Sequence, residues 1–182
     1  ANDIIITNGS QQALDILSAV LIDEGDKILI EKPSYLAALQ VFHLYNPKIN
    51  SVTLNHHGID LQELTAYLEQ KPKFFYAIPT FQNPTGLTYD NETRIALANL
   101  LKKTNTIFIE DNPYGDLHFN DETFLPIYPL LKDQTILLGT FSKTVSPGMR
   151  IGWIACSNSY LKQKLLAYKQ IVDLHTNIFG QM

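Results

Sequence analysis

Lys143 stands between two hydroxyls, Ser142 and Thr144, and Arg150 follows it by seven residues, beyond a Pro147-Gly148 turn. A lysine amine attacks a carbonyl in its neutral form, which desolvation or nearby positive charge favours, and Arg150 can supply part of that charge. Such a loop can hold an amine and an anion side by side; the plainer alternative is a solvated lysine in a turn. Two other stretches end apolar runs in chemically useful groups. Phe74-Phe75-Tyr76-Ala77-Ile78 exits into Pro79-Thr80-Phe81-Gln82-Asn83-Pro84-Thr85-Gly86, where the Asn83 amide can donate to a phenolate oxygen and accept from a second group, or open an Asx turn. Thr106 to Asp111 is an apolar strand closed by two carboxylates, a place where burial and a charged partner shift proton affinity. Asp111 reads as functional or as a turn cap, Glu110 as structural, and Tyr114 lies within reach three residues on.

Each of these groups needs a strand to deliver it, and the hydrophobic pattern supplies seven. Ile4-Ile5-Ile6-Thr7 feeds, through Asn8-Gly9-Ser10, a helix with Leu14, Leu17, Val20 and Leu21 on one face. Free backbone N–H groups and the positive dipole end at that helix start suit a phosphate, joined by the Ser10 hydroxyl and the Gln11 N–H. Ordinary capping by Asn8 or Ser10 fits the same residues. Lys27 to Ile30 is the next strand; Pro33 stops it, Ser34 can cap a helix bearing Leu36, Leu39, Val41 and Phe42, and Tyr35 falls near a strand's carboxyl end, where ligands of open α/β sheets gather. A core aromatic packing under that helix is the other reading of Tyr35. Ile49 to Thr53 reads as a weaker, peripheral strand, and His56-His57-Gly58 as a solvated turn. No cysteine or carboxylate partners the histidines at a zinc-like spacing, so no metal is assigned.

A helix after Asp60 carries Leu61, Leu64, Tyr67 and Leu68, and another carries Ile95, Leu97, Ala98, Leu100 and Leu101. Phe119 to Pro129 reads as a loop. Gln134 to Phe141 is the strand that ends at the lysine, Gly152 to Cys156 is the last strand, and a helix from about Ser159 with Leu161, Leu165, Leu166, Tyr168 and Val172 follows. Strands alternating with helices indicate an α/β architecture, a mostly parallel seven-stranded sheet. The connection from the Lys143 strand to the Gly152 strand is too short for a helical crossover, so the last strand is expected to be antiparallel.

Composition narrows the class. The 182 residues, 45% hydrophobic and 18% charged, suit one globular domain. A net charge of -4 with 14 scattered Lys and Arg argues against nucleic-acid binding by this segment. A lone cysteine, Cys156, cannot form an internal disulfide, and no apolar run has the length of a membrane span. An intracellular, cytoplasmic protein is the expectation. Ala1-Asn2-Asp3 enters a strand at once and the chain stops at Asn177 to Met182 without a cap or polar tail, so an excised piece is also expected.

Taken together, Gly9-Ser10-Gln11, Tyr35, Asn83-Pro84-Thr85-Gly86, Asp111 with Tyr114, and Ser142-Lys143 through Pro147-Gly148, Arg150 and Gly152 resemble, in matching order, the motifs of fold-type I pyridoxal-phosphate enzymes, specifically class I/II aminotransferases. The resemblance is nearest to the branch with 2-aminoadipate and kynurenine aminotransferases. It implies a three-layer α/β/α fold and pyridoxal 5'-phosphate as cofactor, with an internal aldimine at Lys143 and that lysine as proton carrier. It further implies Asp111 on the pyridinium, Asn83 and Tyr114 on the phenolate oxygen, and Tyr35 stacked on the ring. Gly9, Ser10, Gln11, Thr140, Ser142 and Arg150 fall to the phosphate, and Pro84 to a cis bond. The implied reaction is reversible amino transfer from an amino acid to a 2-oxo acid in a homodimer. Residues 1-182 would form one large-domain fragment, without the amino-terminal arm and the small domain that brings the substrate-carboxylate arginine; Arg94 has no motif around it. The same motifs would serve the non-catalytic effector domain of a GntR/MocR-type transcription regulator, or a lyase or decarboxylase on this fold.

Overall fold

The computed structural model describes residues 3–118 and 124–182. The chain runs β1 (Ile4–Thr7), α1 (Gly9–Leu21), β2 (Lys27–Lys32), α2 (Leu36–His43), β3 (Lys48–Asn55), β4 (Gly58–Ile59), α3 (Leu61–Leu68), β5 (Phe74–Ala77), α4 (Asn91–Leu101), β6 (Ile107–Asp111), β7 (Thr135–Thr140), β8 (Gly152–Cys156) and α5 (Ser159–Asp173). The strands form one sheet in the order β1-β8-β7-β6-β5-β2-β3-β4. Among the described residues the sheet therefore has eight strands rather than seven. The extra one, β4, is two residues that pair with the end of β3 as the chain folds back at His56-His57, too short to leave an alternating pattern in the sequence.

Pairing direction decides where the functional residues meet. β3, β2, β5, β6 and β7 are mutually parallel, so the segments leaving β2, β5, β6 and β7 emerge at one edge. As expected, β8 runs antiparallel to β7, which starts it at that same edge and puts Arg150 there. β1 is antiparallel to β8, hence aligned with β7, and so the start of α1 joins the others. Five separate stretches of sequence are thus delivered to one rim, in the place where open α/β sheets hold ligands.

Two apolar layers hold the sheet. On one face Ala13, Leu14, Leu17 and Leu21 of α1, Ala38 and Phe42 of α2 and Leu165 of α5 pack on Ile28, Ile30, Phe74, Tyr76 and Leu138. On the other, Leu64 and Leu68 of α3 and Leu97, Ala98 and Leu101 of α4 cover Leu29, Phe75 and Phe108. β5 is buried at all four positions, as a central strand covered on both sides requires. The helix faces differ from the sequence pattern at their margins: Leu36, Leu166 and Val172 are exposed. Ser34 does not cap α2. Tyr35 occupies the cap position without a side-chain bond, and the Ser34 hydroxyl is buried without a partner among the described residues. Asp60 caps α3 through Gln62 and Glu63 N–H. Of the expected 119–129 loop, residues 119–123 lie outside the described residues, and Tyr128–Leu130 form a short 3-10 turn. Among the described residues no helix is long and apolar enough to cross a membrane.

Arg94 is a structural clamp. It is buried and its guanidinium donates to the carbonyls of Pro79, Tyr89 and Leu125 and to Thr80 Oγ1, tying the exit of β5 to α4. Glu110 is its acidic neighbour and accepts from the N–H groups of Ile127 and Tyr128. Removing the guanidinium leaves buried carbonyls without donors, so Arg94→Met is expected to destabilise the chain by about 3 kcal/mol, measurable by urea unfolding. A loss below about 0.5 kcal/mol, the scale of an ordinary surface change, would show that the clamp contributes nothing.

Candidate functional site

The rim holds a cavity of about 350 Å³ lined by Ser10, Gln11, Tyr35, Ile78, Asn83, Asp111, Pro113, Tyr114, Thr140, Ser142, Lys143 and Arg150. Ten of the eleven residues singled out from the sequence line it directly. Gly9, the eleventh, is buried behind the wall. Its φ is +76°, and a Cβ there would lie 2.7 Å from Arg150 Nη2. Only glycine permits both that backbone and the close approach of the guanidinium.

At one end of the cavity is an anion cradle. The first N–H groups of α1 have no partners within the helix, and the helix dipole adds positive potential there. Arg150, in the left-handed region at φ +52°, turns its guanidinium across this turn, with Nη2 3.3 Å from the Asn8 carbonyl and Nη1 3.5 Å from Ser142 Oγ. Thr140 Oγ1 donates to Ser142 Oγ or to the Ile151 carbonyl and accepts from the Ser142 N–H, so the two hydroxyls are fixed relative to each other. Gly152 lets β8 pass against the turn: a Cβ on it would meet the Gly9 carbonyl carbon at 2.6 Å. Asn8 precedes α1 but makes no side-chain cap, so simple capping does not explain its side chain.

Across the cavity stands Asp111, the last residue of β6 and 2% exposed. Its Oδ2 accepts from the Tyr76 hydroxyl at 2.7 Å. Its Oδ1 is buried with no hydrogen-bond partner among the described residues. Burial raises the proton affinity of this carboxyl to a pKa of about 6, the Tyr76 bond opposing the rise. An unpartnered buried acceptor costs free energy unless something donates to it, and a cationic N–H donor in the cavity is the group it suits best. Burial, then the charge of Asp111, also holds the Tyr35 phenol protonated. Asn83 Nδ2 donates to the Tyr114 hydroxyl at 3.3 Å, which aligns two donors that can share one oxygen. The exposed Lys143 amine lies 6.0 Å from the Tyr114 ring centroid. The Asn83–Pro84 bond is cis, as is Lys32–Pro33.

Sequence reasoning missed the layer beneath. Tyr76 was read only as part of an apolar strand. A tyrosine in a strand buried on both faces must find a partner for its hydroxyl, and that was the available signal. Gln82 likewise reads from the sequence as one of the turn-forming residues after β5. Its Nε2 donates to Glu31 Oε2 and the Pro33 carbonyl while its Oε1 accepts from Thr85 N–H and Oγ1, so one buried amide joins the Tyr35 segment to the Asn83 turn. Tyr89 donates to the other Glu31 oxygen. The His56 and His57 rings lie against each other at a 46° tilt, neither lining the cavity, and His57 pairs with Asp90.

A family model described as aminotransferase class I and II matches residues 1–176. Over 187 aligned residues the chain is 44% identical to aromatic-amino-acid aminotransferase 1 of Thermococcus litoralis, covering 99% of this chain and 45% of that protein. The crystal structure of an alpha-aminoadipate aminotransferase from Thermus thermophilus, complexed with N-(5'-phosphopyridoxyl)-L-leucine, superposes with a TM-score of 0.94 at 38% identity, over 98% of this chain and 47% of the other. An uncharacterised HTH-type transcriptional regulator of Bacillus subtilis also matches, at 38% identity over 84% of this chain and 32% of its own length. The chain thus spans a little under half the length of the aminotransferases it matches.

Three buried acids set the pH dependence of stability. Burial raises Glu31 and Glu110 from 4.5 to about 7 and Asp111 from 3.8 to about 6. The folded state therefore holds more protons than the unfolded one between these values, and unfolding free energy falls as pH rises through that window. The opposite sign applies to Asp26, Asp90 and Asp173, whose folded values are lowered from 3.8; their contribution is lost only in stronger acid. Urea unfolding of the ligand-free chain is expected to show maximal stability near pH 4 to 5 and a decline toward pH 7, with a shallower decline in Asp111→Asn. Stability that rises across that interval would contradict the burial of these carboxyls.

Proposed function

The chain belongs to the aminotransferase class I and II family, and on that premise we propose that it is the cofactor-holding part of a pyridoxal 5'-phosphate-dependent aminotransferase. The parent reaction is reversible transfer of an amino group between an amino acid and a 2-oxo acid. The observation that carries this reading is the buried Oδ1 of Asp111, without a partner among the described residues, across the cavity from the Arg150 and α1 anion cradle. One cofactor satisfies both, because it joins a protonatable ring nitrogen to a phosphate. When bound, pyridoxal phosphate supplies an electron-withdrawing ring that stabilises negative charge at the substrate's α-carbon.

The chain's own residues then have distinct tasks. Asp111 keeps a proton on the ring nitrogen, and Tyr76 keeps Asp111 oriented for it. Asn83 and Tyr114 hold the phenolate oxygen from one side, the Asn83 turn being fixed through Gln82. Tyr35 covers a ring face. Gly9, Ser10, Gln11, Thr140, Ser142 and Arg150 hold the phosphate. Lys143 Nζ would hold the cofactor at its aldehyde carbon, water leaving as that bond forms, and, once displaced by the substrate amine, would carry a proton to and from the substrate α-carbon as general base and acid. Tyr114, beside it, helps to orient the amine.

The length of the relatives supports placing this chain as a large-domain fragment. An amino-terminal arm, a small domain with the arginine for the substrate carboxylate, a homodimer and a cytoplasmic setting belong to the same proposal. Arg94 is spent on backbone carbonyls and does not serve as that arginine. The regulator alternative draws on relatives at 38% identity over 84% of this chain and 30% over 99% of it, against 44% for the aromatic-amino-acid aminotransferase, and nothing in the site favours it.

Incubation with pyridoxal 5'-phosphate followed by borohydride reduction is expected to fix the cofactor to Lys143, located by peptide mass spectrometry. Lys143→Ala is expected to lose that adduct while still folding. Labelling scattered over surface lysines, or unchanged in Lys143→Ala, would overturn the assignment.

A further inference from the structure

Helix α5 carries none of the motifs that point to a cofactor, yet it touches the anion cradle through a buried charge. Lys169 is 5% exposed, and its Nζ donates to Asp173 Oδ1 at 2.7 Å. That pair alone would be a helical ion pair one turn apart. The other oxygen, Oδ2, accepts from Asn8 Nδ2 at 2.8 Å and from Gln12 Nε2 at 2.9 Å. Gln12 returns through its Oε1 to accept the Asn8 backbone N–H at 2.7 Å. Asn8 is therefore held at its side chain by Asp173, at its N–H by Gln12, and at its carbonyl by Arg150. The next residues are Gly9, on which the Arg150 guanidinium lies, and Ser10 and Gln11 in the cavity wall.

We infer that Asp173, with Gln12 and Asn8, is a positioning device for phosphate: it fixes the turn that aims the first N–H groups of α1 and the Arg150 guanidinium at one point. The inference rests on the reading of this end of the cavity as the cofactor's phosphate site. Hydrogen bonds to an ionised carboxylate are stronger than neutral ones, and Lys169 favours the charged form of this half-buried one. The Thr7 hydroxyl also holds the turn, donating to the Gly9 carbonyl at 3.0 Å, but Asn8 makes no capping bond of its own, so its orientation comes from its bonds to Asp173, Gln12 and Arg150. Asp173 touches no ligand; it acts through Asn8 and Gln12. Loss of the carboxylate frees the turn and lowers affinity for the phosphate end of a ligand, leaving the ring end as it was.

Pyridoxal 5'-phosphate and pyridoxal, which lacks the phosphate, separate the two ends. Dissociation constants of both are measured on the wild-type chain, on Asp173→Asn and on Asn8→Ala, with folding checked by circular dichroism. The wild type is expected to prefer the phosphorylated compound. In Asp173→Asn that preference is expected to fall about tenfold, the size of one lost charge-assisted hydrogen bond, with pyridoxal binding changed less than about twofold. Asn8→Ala removes one arm of the same brace and decides the matter if Asp173→Asn does not fold. An equal loss for both ligands, or an unchanged preference in the variants, would sink the inference. A wild type with no preference would instead remove the phosphate-site reading beneath it.

Discussion

Burying the Asp111 carboxyl at the end of β6 is the constraint around which the rest of the rim is arranged. One oxygen is pinned by Tyr76 and the other has no partner among the described residues. Burial favours the neutral form, and its pKa rises to about 6. A cationic N–H donor placed against Oδ1 reverses that tendency by pairing with the carboxylate. The site is thus built in a state that a ligand completes, which is one way a fold holds binding free energy in reserve.

The sheet makes the arrangement possible. Parallel strands send their exits to one edge, and the reversal at β8 and β1 brings Arg150 and the start of α1 to that edge too. The cavity consequently has opposite chemical ends: an acid fixed in the low-dielectric interior, and a cradle of N–H groups and guanidinium near the surface. Lys143 enters from β7 between them. Supporting groups lie one layer deeper, with Gln82 and Glu31 joining the β2 and β5 exits, and Asp173 reaching the α1 turn from the far end of the chain.

What the sequence disclosed follows from where its information is local. Asn83-Pro84-Thr85-Gly86, Asp111 and Ser142-Lys143 sit at ends of apolar runs, where a change from strand to turn residues marks a strand exit, and Asn83, Asp111, Ser142 and Lys143 reach the cavity. The parallel sheet and the antiparallel β8 were legible from connection lengths alone. Residues whose role depends on a distant partner were not: Tyr76 looks like one more aromatic in β5, Arg94 like an exposed helix arginine, and Asp173 like the polar end of an amphipathic helix. Their partners are 35, 15 and 165 residues away, and no local pattern records such pairings. β4 escaped because two residues cannot show a period, and Leu36 was misplaced because the edge of a helix's apolar face is set by its neighbours.

The role proposed for Asp111 is to accept a hydrogen bond from a protonated ring nitrogen. Nitrogen-15 NMR of the chain loaded with pyridoxal 5'-phosphate labelled at that nitrogen tests it without catalysis. The expected result at neutral pH is a pyridinium-like shift that moves to the neutral-pyridine range in Asp111→Ala. A neutral pyridine signal in the wild type, or an identical pyridinium signal in both proteins, would contradict the role assigned to the buried carboxyl.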